Sequence, residues 1–231
     1  MLIKRREWLA SSAAAALASA AETNKPKLLL PSDQPDEFGF RLMWYNPVPP
    51  IDQTKYRLRI GGLVEKPLAL AVSDLRRYPQ ESQSARMKCV QCWSGRATWG
   101  GFRFGSLLES AKPFKKAKAV RIDCADKWYE YFALTELASP RLLMVLDLAG
   151  KPLPDRHGAP LRLLDPSKYG YKSAKLITSI TFVEEGKGSM ACDIGPYYSP
   201  TGEILPGYDT PLDLAGGKSK RKIKGGEITD Y

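Results

Sequence analysis

The chain has 231 residues, of which 43% are hydrophobic and 26% are charged. This is the composition of an ordinary globular protein with enough apolar residues for one sizeable core. Its mean hydropathy is -0.32, and no apolar run is long enough for a membrane-spanning helix. The net charge of +10 allows a basic surface for an anionic partner, but the sequence contains no motif for binding nucleic acid.

The first twenty residues predict an export signal. A basic start that contains the twin arginine Arg5 and Arg6 is followed by an alanine-rich stretch and by Ala18-Ser19-Ala20, which resembles a cleavage site. The alternative is an amphipathic or disordered tail. Because the twin-arginine route carries folded proteins, a cofactor could be inserted before export, and we expect a periplasmic location.

The predicted elements between residues 55 and 185 are short and mostly extended. Period-two alternation or continuous apolar runs predict strands at 56–60, 85–90, 119–124, 128–132, 142–148, 161–164 and 176–183. Two short helices are predicted at 73–78 and 104–110. The pattern indicates one α+β domain in which strands dominate. A proline-rich, irregular arm precedes it at 21–54, and an irregular basic arm follows it at 186–231.

Cys89 lies in the most unusual local sequence of the chain. It ends a strand-like run and is followed by Trp93-Ser94 and a glycine-rich stretch at 98–101 that predicts a turn. Thiolates suit soft or high-valent redox metals. The chain has one histidine, His157, and three other cysteines. A metal bound by Cys89 would therefore take most of its ligands from a group that is not protein.

Four stretches, in family order, resemble the oxidoreductase molybdopterin-binding domain of the sulfite oxidase superfamily. They are residues 56–68, 89–101, 157–162 and 168–175. The likeness is greatest to the bacterial periplasmic branch that includes the methionine sulfoxide reductase catalytic subunit. The resemblance spans roughly residues 47–185 and implies that family's β-rich fold with short helices.

The resemblance also implies a molybdenum–molybdopterin cofactor, with the metal held by the pterin dithiolene and by Cys89. It places further cofactor-binding roles on Asn46, Cys124, His157, Arg162, Ser173 and Lys175. Arginine suits a pterin phosphate because its planar fork matches the phosphate oxygens. Arg96 and Tyr169, near the ligand segments, are candidate catalytic residues beside Cys89. For each of these positions, ordinary packing or solvent exposure is the alternative.

Cys89 and Cys92 form a C-x-x-C pair that leaves three other interpretations open. Thioredoxin-like chemistry needs the pair at a helix start in a βαβ unit, which the pattern does not show. Zinc needs two further ligands, and Cys124 and Cys192 have irregular spacing for that purpose. A structural disulfide suits an oxidising compartment but would consume the metal ligand.

The sequence therefore predicts an exported molybdopterin-dependent oxidoreductase that moves an oxygen atom and two electrons on a small sulfoxide or sulfite-like substrate. No heme or iron–sulfur motif is apparent. Electrons should come from a separate partner: a membrane heme protein, a quinone-linked subunit or a soluble cytochrome. The basic run at 218–224 suggests docking on acidic groups. The alternatives are a non-catalytic exported binding module with a basic surface, or a zinc or disulfide structural protein.

Overall fold

The computed structural model describes residues 28–32, 34–90, 94–186, 188–195 and 198–204, and the backbone of 208–209 and 221–222. The predicted export signal, Cys92 and most of the basic run at 218–224 lie outside the described residues. No helix within the described part of the chain is long and apolar enough to cross a membrane.

Two five-stranded sheets account for most of the described fold. The first has the order β2-β1-β10-β5-β6, and only β1 and β10 run parallel. Its strands are β1 Leu58–Gly62, β2 Leu68–Leu70, β5 Ala119–Cys124, β6 Tyr129–Ala133 and β10 Ile177–Val183. As the alternation predicts, β5 and β6 pair as neighbouring antiparallel strands.

The second sheet is antiparallel, with the order β3-β4-β7-β8 and with β9 also paired to β7. Its strands are β3 Gln80–Lys88, β4 Ser94–Phe102, β7 Leu143–Leu148, β8 Lys151–Pro152 and β9 Arg162–Leu164. A separate two-stranded pair joins β11 Tyr208–Asp209 to β12 Arg221–Lys222.

The helices are short, as the high proline and glycine content predicts. They are α1 Val72–Leu75, α2 Gly105–Ala111, α3 Leu134–Leu137 and α4 Met190–Ile194, with 3-10 turns at Asp155–His157 and Gly170–Lys172. Strand makes up 38% of the structure and helix 15%. These proportions confirm the predicted strand-dominated α+β class.

Strand β7 contributes to both hydrophobic clusters of the core. Met144 and Leu146 belong to the cluster that includes the first sheet, whereas Leu143 and Val145 belong to the cluster beneath β3 and β4. This explains the continuous apolar run at 142–148, since a strand buried on both faces needs no polar alternation. The second cluster also contains Phe40 from the N-terminal arm.

The turn predicted at 98–101 is wrong, because these residues lie within β4. A Cβ at Gly101 would lie 1.9 Å from the carbonyl oxygen of Met144. The absence of a side chain at Gly101 therefore allows β4 and β7 to approach closely, at a point where the β4–β7 register shifts.

Candidate functional site

A cleft of about 390 Å³ opens where the N-terminal arm meets the two sheets. One wall is residues 40–45 of the arm, and another is the end of β3 with Met87 and Cys89. The turn between β5 and β6 adds Asp126 and Trp128. The remaining lining residues are Val90, Arg162, Gly170, Tyr171, Ser173, Lys175, Ile194 and Tyr198.

Cys89 lies one residue beyond β3, where the strand opens into the cleft. Ala85 and Met87, which alternate with Cys89 on the same face of the strand, are buried. Cys89 itself is half-buried and lines the cleft. The strand therefore presents this thiol to the cavity beside the Met87 thioether.

Arg162, at the start of β9, is a buried cation on the cleft wall. Its Nη1 donates to the carbonyl oxygen of His157 at 3.0 Å, and its guanidinium carbon lies 5.0 Å from the centre of a Trp99 ring. Its Nε has no hydrogen-bond partner within the described structure. Burial lowers the pKa of Arg162 to about 10, so the side chain stays charged at neutral pH.

Lys175 brings a second cation to the same cleft. Its Nζ donates to the carbonyl oxygen of Met43 and lies 4.0 Å from the centre of the Trp44 ring. Burial of the ammonium, and then repulsion from Arg162, lower the pKa of Lys175 to about 7. Part of the side chain still faces the open cleft. The ammonium could therefore turn from its carbonyl partner to an anion.

Gly158 and Ser173 support the two cations. Gly158 has a φ of +98°, and a Cβ there would lie 2.6 Å from Cβ of Lys175, so the turn after β8 packs directly against the lysine. Ser173 is buried, and its Oγ accepts from the backbone N–H of Asp165 at 3.3 Å. Arg162, Lys175 and Ser173 all line the cleft.

Asn46 and Cys124 were predicted to contact the cofactor, and neither lines the cleft in this structure. Asn46 Nδ2 donates to the carbonyl oxygen of Asp126 at 2.8 Å, which fastens the arm to the β5–β6 turn. Cys124 ends β5 and is buried. Burial raises the pKa of the Cys124 thiol well above its usual value. Their cofactor roles stay predictions.

The imidazole of His157 faces the N-terminal arm rather than the cleft. It makes edge contacts with the rings of Phe38 and Phe40. Asp36 Oδ2 lies 2.9 Å from Nε2, but the two atoms lack the alignment of a hydrogen bond. Burial, and then the charge of Arg162, lower the pKa of His157 to about 3. The charge of Glu37 opposes this, but burial dominates, so the imidazole is neutral at pH 7.

Arg96 and Tyr169 are not among the residues that line the cleft. Arg96 is on β4, on the face opposite the buried Gly95 and Ala97, and its Nη1 donates to Ser84 Oγ at 3.4 Å. Tyr169 is 7% exposed and stacks on Tyr171, with ring centres 6.1 Å apart. Their catalytic roles stay predictions.

Asp126 is a residue of the site that the sequence did not reveal. Its Oδ2 accepts from the backbone N–H of Tyr45 at 3.1 Å, and its Oδ1 accepts from that of Trp128 at 3.2 Å. It therefore joins two walls of the cleft. The only sequence signal was the turn propensity of an aspartate between two strands.

Among the described residues, no group of three or more histidine, cysteine, aspartate or glutamate side chains could hold a metal ion. The donors that do line the cleft are of another kind: the Cys89 thiol and the basic side chains Arg41, Arg162 and Lys175, of which Arg162 has a buried Nε without a hydrogen-bond partner. This set suits a group that brings anionic oxygens of its own and takes one thiolate from the protein.

The sequence profile of the oxidoreductase molybdopterin binding domain family matches residues 45–191, more than half of the chain. This chain belongs to that family. The match confirms the resemblance inferred from the four motifs and the assignment to the molybdopterin-binding oxidoreductases. It begins ten residues before the predicted start of the domain at residue 55.

Two relatives are catalytic subunits MsrP of protein-methionine-sulfoxide reductases. The chain is 34% identical over 147 residues to that of Campylobacter jejuni, which covers 56% of this chain and 50% of the relative. It is 33% identical over 187 residues to that of Xanthomonas axonopodis pv. citri, which covers 74% of this chain and 58% of the relative. The matches thus span between half and three fifths of these relatives.

A solved structure shares the fold. The sulfane dehydrogenase SoxCD from Paracoccus pantotrophus superposes with a TM-score of 0.55 at 22% identity, covering 59% of this chain and 40% of that one. The likeness confirms the predicted sulfite-oxidase-type fold.

The donors of the cleft fit the cofactor of this family. Arg162 and Lys175 would bind the pterin phosphate, since both are cations and Arg162 has an unused Nε–H. Ser173 would donate beside them, and Cys89 would supply the protein thiolate to the metal.

Proposed function

We propose that this chain is a molybdenum-cofactor oxidoreductase that reduces an organic sulfoxide by two-electron oxygen-atom transfer. The observation that carries the proposal is the meeting of Cys89, Arg162, Ser173 and Lys175 in one cleft. These residues are distant in sequence, and the family's cofactor requires this combination of thiolate and phosphate-binding groups. Membership in the family favours this function over a binding module or a zinc or disulfide structural protein.

The protein's own contribution is to hold and enclose the cofactor. Arg162 and Lys175 neutralise the phosphate, and Gly158 keeps the lysine in place. Trp44 and Met87 give the cleft apolar walls, which exclude water from the redox centre. A bound molybdenum cofactor would supply the two-electron centre for oxygen-atom transfer.

The rim of the cleft favours an organic sulfoxide over a small anion such as sulfite. Met43, Tyr45 and Ile194 line the cleft and are 49%, 44% and 50% exposed. Large apolar side chains at a binding cleft stabilise apolar ligands rather than hydrated anions. The two relatives named as protein-methionine-sulfoxide reductases act on such a group, so we propose methionine sulfoxide in proteins as the substrate.

The proposal is tested with protein from a molybdenum-replete host, assayed with a reduced viologen dye and an oxidised methionine peptide. Wild type should reduce the sulfoxide. Cys89→Ser should lose nearly all turnover, because a hydroxyl is a poorer and harder ligand than a thiolate. Cys192→Ser is the matched control, since this half-buried thiol on α4 does not line the cleft. Equal activity of wild type and Cys89→Ser would contradict the proposal.

We also propose that the protein is exported through its twin-arginine signal at 1–20. The support is the sequence pattern alone, because these residues lie outside the described structure. Replacing Arg5 and Arg6 by lysine should leave the protein in the cytoplasmic fraction. Periplasmic recovery of that variant would contradict this route.

Electrons should reach the site from a separate protein with an acidic docking surface. Residues 1–20 carry a net charge of +2, so about +8 of the chain's +10 remains after them, and the run at 218–224 holds part of it. Turnover with the protein donor should fall as ionic strength rises, because salt screens the attraction. Turnover with a small neutral dye should change far less, and equal salt dependence would refute electrostatic docking.

A further inference from the structure

Glu130, on β6, is a fully buried carboxylate that does not line the cleft. Its Oε1 accepts from Trp128 Nε1 at 3.1 Å and from Ser189 Oγ at 2.7 Å. Its Oε2 accepts from Lys172 Nζ at 2.6 Å. The carboxylate thus has three side-chain donors from three separate parts of the chain.

Each donor belongs to a segment that reaches the cleft. Trp128 lines the cleft itself, and Lys172 lies between the lining residues Tyr171 and Ser173. Ser189 is the N-cap of α4, where its Oγ accepts from the backbone N–H of Ala191. Helix α4 ends at Ile194, on the exposed apolar rim.

Lys172 extends the same connection to a fourth segment. Its ammonium, on a residue that is 1% exposed, also donates to the carbonyl oxygens of Tyr131 and Pro200 at 3.0 Å each. Pro200 lies two residues after Tyr198, another lining residue. One ion pair therefore joins the β5–β6 hairpin, the 170–173 turn, α4 and the segment that follows it.

A buried ion pair adds little net stability to a fold, because replacing it with two apolar residues of similar volume often leaves the protein equally or more stable. A carboxylate, however, gives directed bonds to several donors at once, which apolar packing cannot give.

We propose that Glu130, paired with Lys172, is a positioning residue that sets the substrate-facing wall formed by Trp128, Tyr171 and Ile194. This inference rests on the proposed function, since the wall matters only if a sulfoxide substrate binds against it. Glu130 acts through these residues and contacts no substrate itself.

Glu130→Gln is the direct test because it changes one atom. The amide oxygen can still accept from Trp128 and Ser189. The amide N–H₂ then faces the ammonium of Lys172, and because both groups are hydrogen-bond donors, the bond to Lys172 is lost. Hydrogen exchange should rise together in segments 126–131, 169–175 and 188–195. In the molybdenum-loaded enzyme, KM for the sulfoxide peptide should rise about tenfold while kcat and metal content stay close to wild type, because a displaced wall removes binding that the ground state and the transition state share.

Val120→Ala is the matched control for lost stability alone. Val120 is fully buried in the neighbouring strand β5, and its truncation leaves a cavity away from the cleft. It should leave KM unchanged and should not raise exchange selectively in those three segments.

An unchanged KM in folded Glu130→Gln, or an equal rise in Val120→Ala, would overturn the inference. If Glu130→Gln does not fold, Ser189→Ala replaces it. That variant removes one bond to Glu130 and should raise KM and loosen 126–131 as well as α4, whereas loosening of α4 alone would count against the inference. The proposed function fails separately if the wild-type enzyme reduces no sulfoxide. In that case the hydrogen-exchange measurement alone decides whether Glu130 holds the wall in place.

Discussion

Arg162 and Lys175 place two basic groups on the cleft wall, and among the described residues neither forms an ion pair with a carboxylate. Arg162 contacts carbonyl oxygens, a thioether and an aromatic ring. Lys175 contacts a carbonyl oxygen and an aromatic ring. Such a site is poorly satisfied until an anion enters it, because burial penalises uncompensated charge.

Arg162→Ala should therefore lower cofactor retention as well as rate. Charge-assisted bonds to a buried phosphate contribute about 1.5–3 kcal/mol each, so affinity should fall by roughly 10- to 100-fold per lost bond. Arg162→Lys should restore retention only in part, because lysine lacks the planar fork. The measurement is pterin and molybdenum per chain after extended dialysis. Arg103→Ala, which removes an arginine paired with Glu81 away from the cleft, is the control and should retain the cofactor.

Lys175 should make the stability of the cofactor-free protein depend on pH. Its pKa is about 7 in the fold and about 10.4 in an unfolded chain, so between these values the unfolded state binds more protons. The free energy of unfolding should then rise with pH, by on the order of 2 kcal/mol between pH 7 and pH 9. Lys175→Met should remove this rise in urea titrations, and an unchanged slope in the variant would contradict the assignment.

At the level of elements, strands with a periodic or continuous apolar pattern were predictable. The hairpin of β5 and β6 and the doubly buried β7 follow directly from alternation and from its absence. Strand β4 was missed because Gly100 and Gly101 are typical of a turn, and their actual cause is the proximity of β7. That contact is non-local, so no window of the sequence contains it.

The N-terminal arm was predictable as irregular but not as part of the site. Its described residues form only isolated bridges, which agrees with the many prolines. Phe40 nevertheless packs in the core, and Trp44 and Tyr45 line the cleft. Cys89 and Lys175, inferred from resemblance in long motifs, both line the cleft, and their cofactor roles stay predictions. Asn46 and Asp126 hold the arm in place through tertiary contacts, and no sequence motif marks that role.

Gly101→Ala tests the close approach of β4 and β7. A methyl group would meet the Met144 carbonyl at 1.9 Å, so the strands must separate, and overpacking of this kind costs about 1–3 kcal/mol. Gly105→Ala is the control, because nothing lies within 4 Å of its added Cβ at the start of α2, and alanine favours helix. Urea unfolding should show a loss for the first variant and none for the second. Equal free energies of unfolding for the two variants would mean that β4 and β7 can separate without cost to admit the methyl group.

At the scale of the whole molecule, β7 of the second sheet contributes to both hydrophobic clusters of the core, and a cleft lies where the N-terminal arm meets the two sheets. The Cys89 thiol, the basic groups of Arg162 and Lys175 and the apolar rim meet there from five separate stretches of chain.

The central claim is that this cleft holds a molybdenum–pterin cofactor through Cys89. The most direct measurement is the molybdenum and pterin content of protein purified from a molybdenum-replete host, with the pterin detected as its fluorescent oxidation product. We expect close to one molybdenum and one pterin per chain, and a marked loss of molybdenum in Cys89→Ser. Purified protein that holds zinc in place of molybdenum and yields no pterin product would contradict the account.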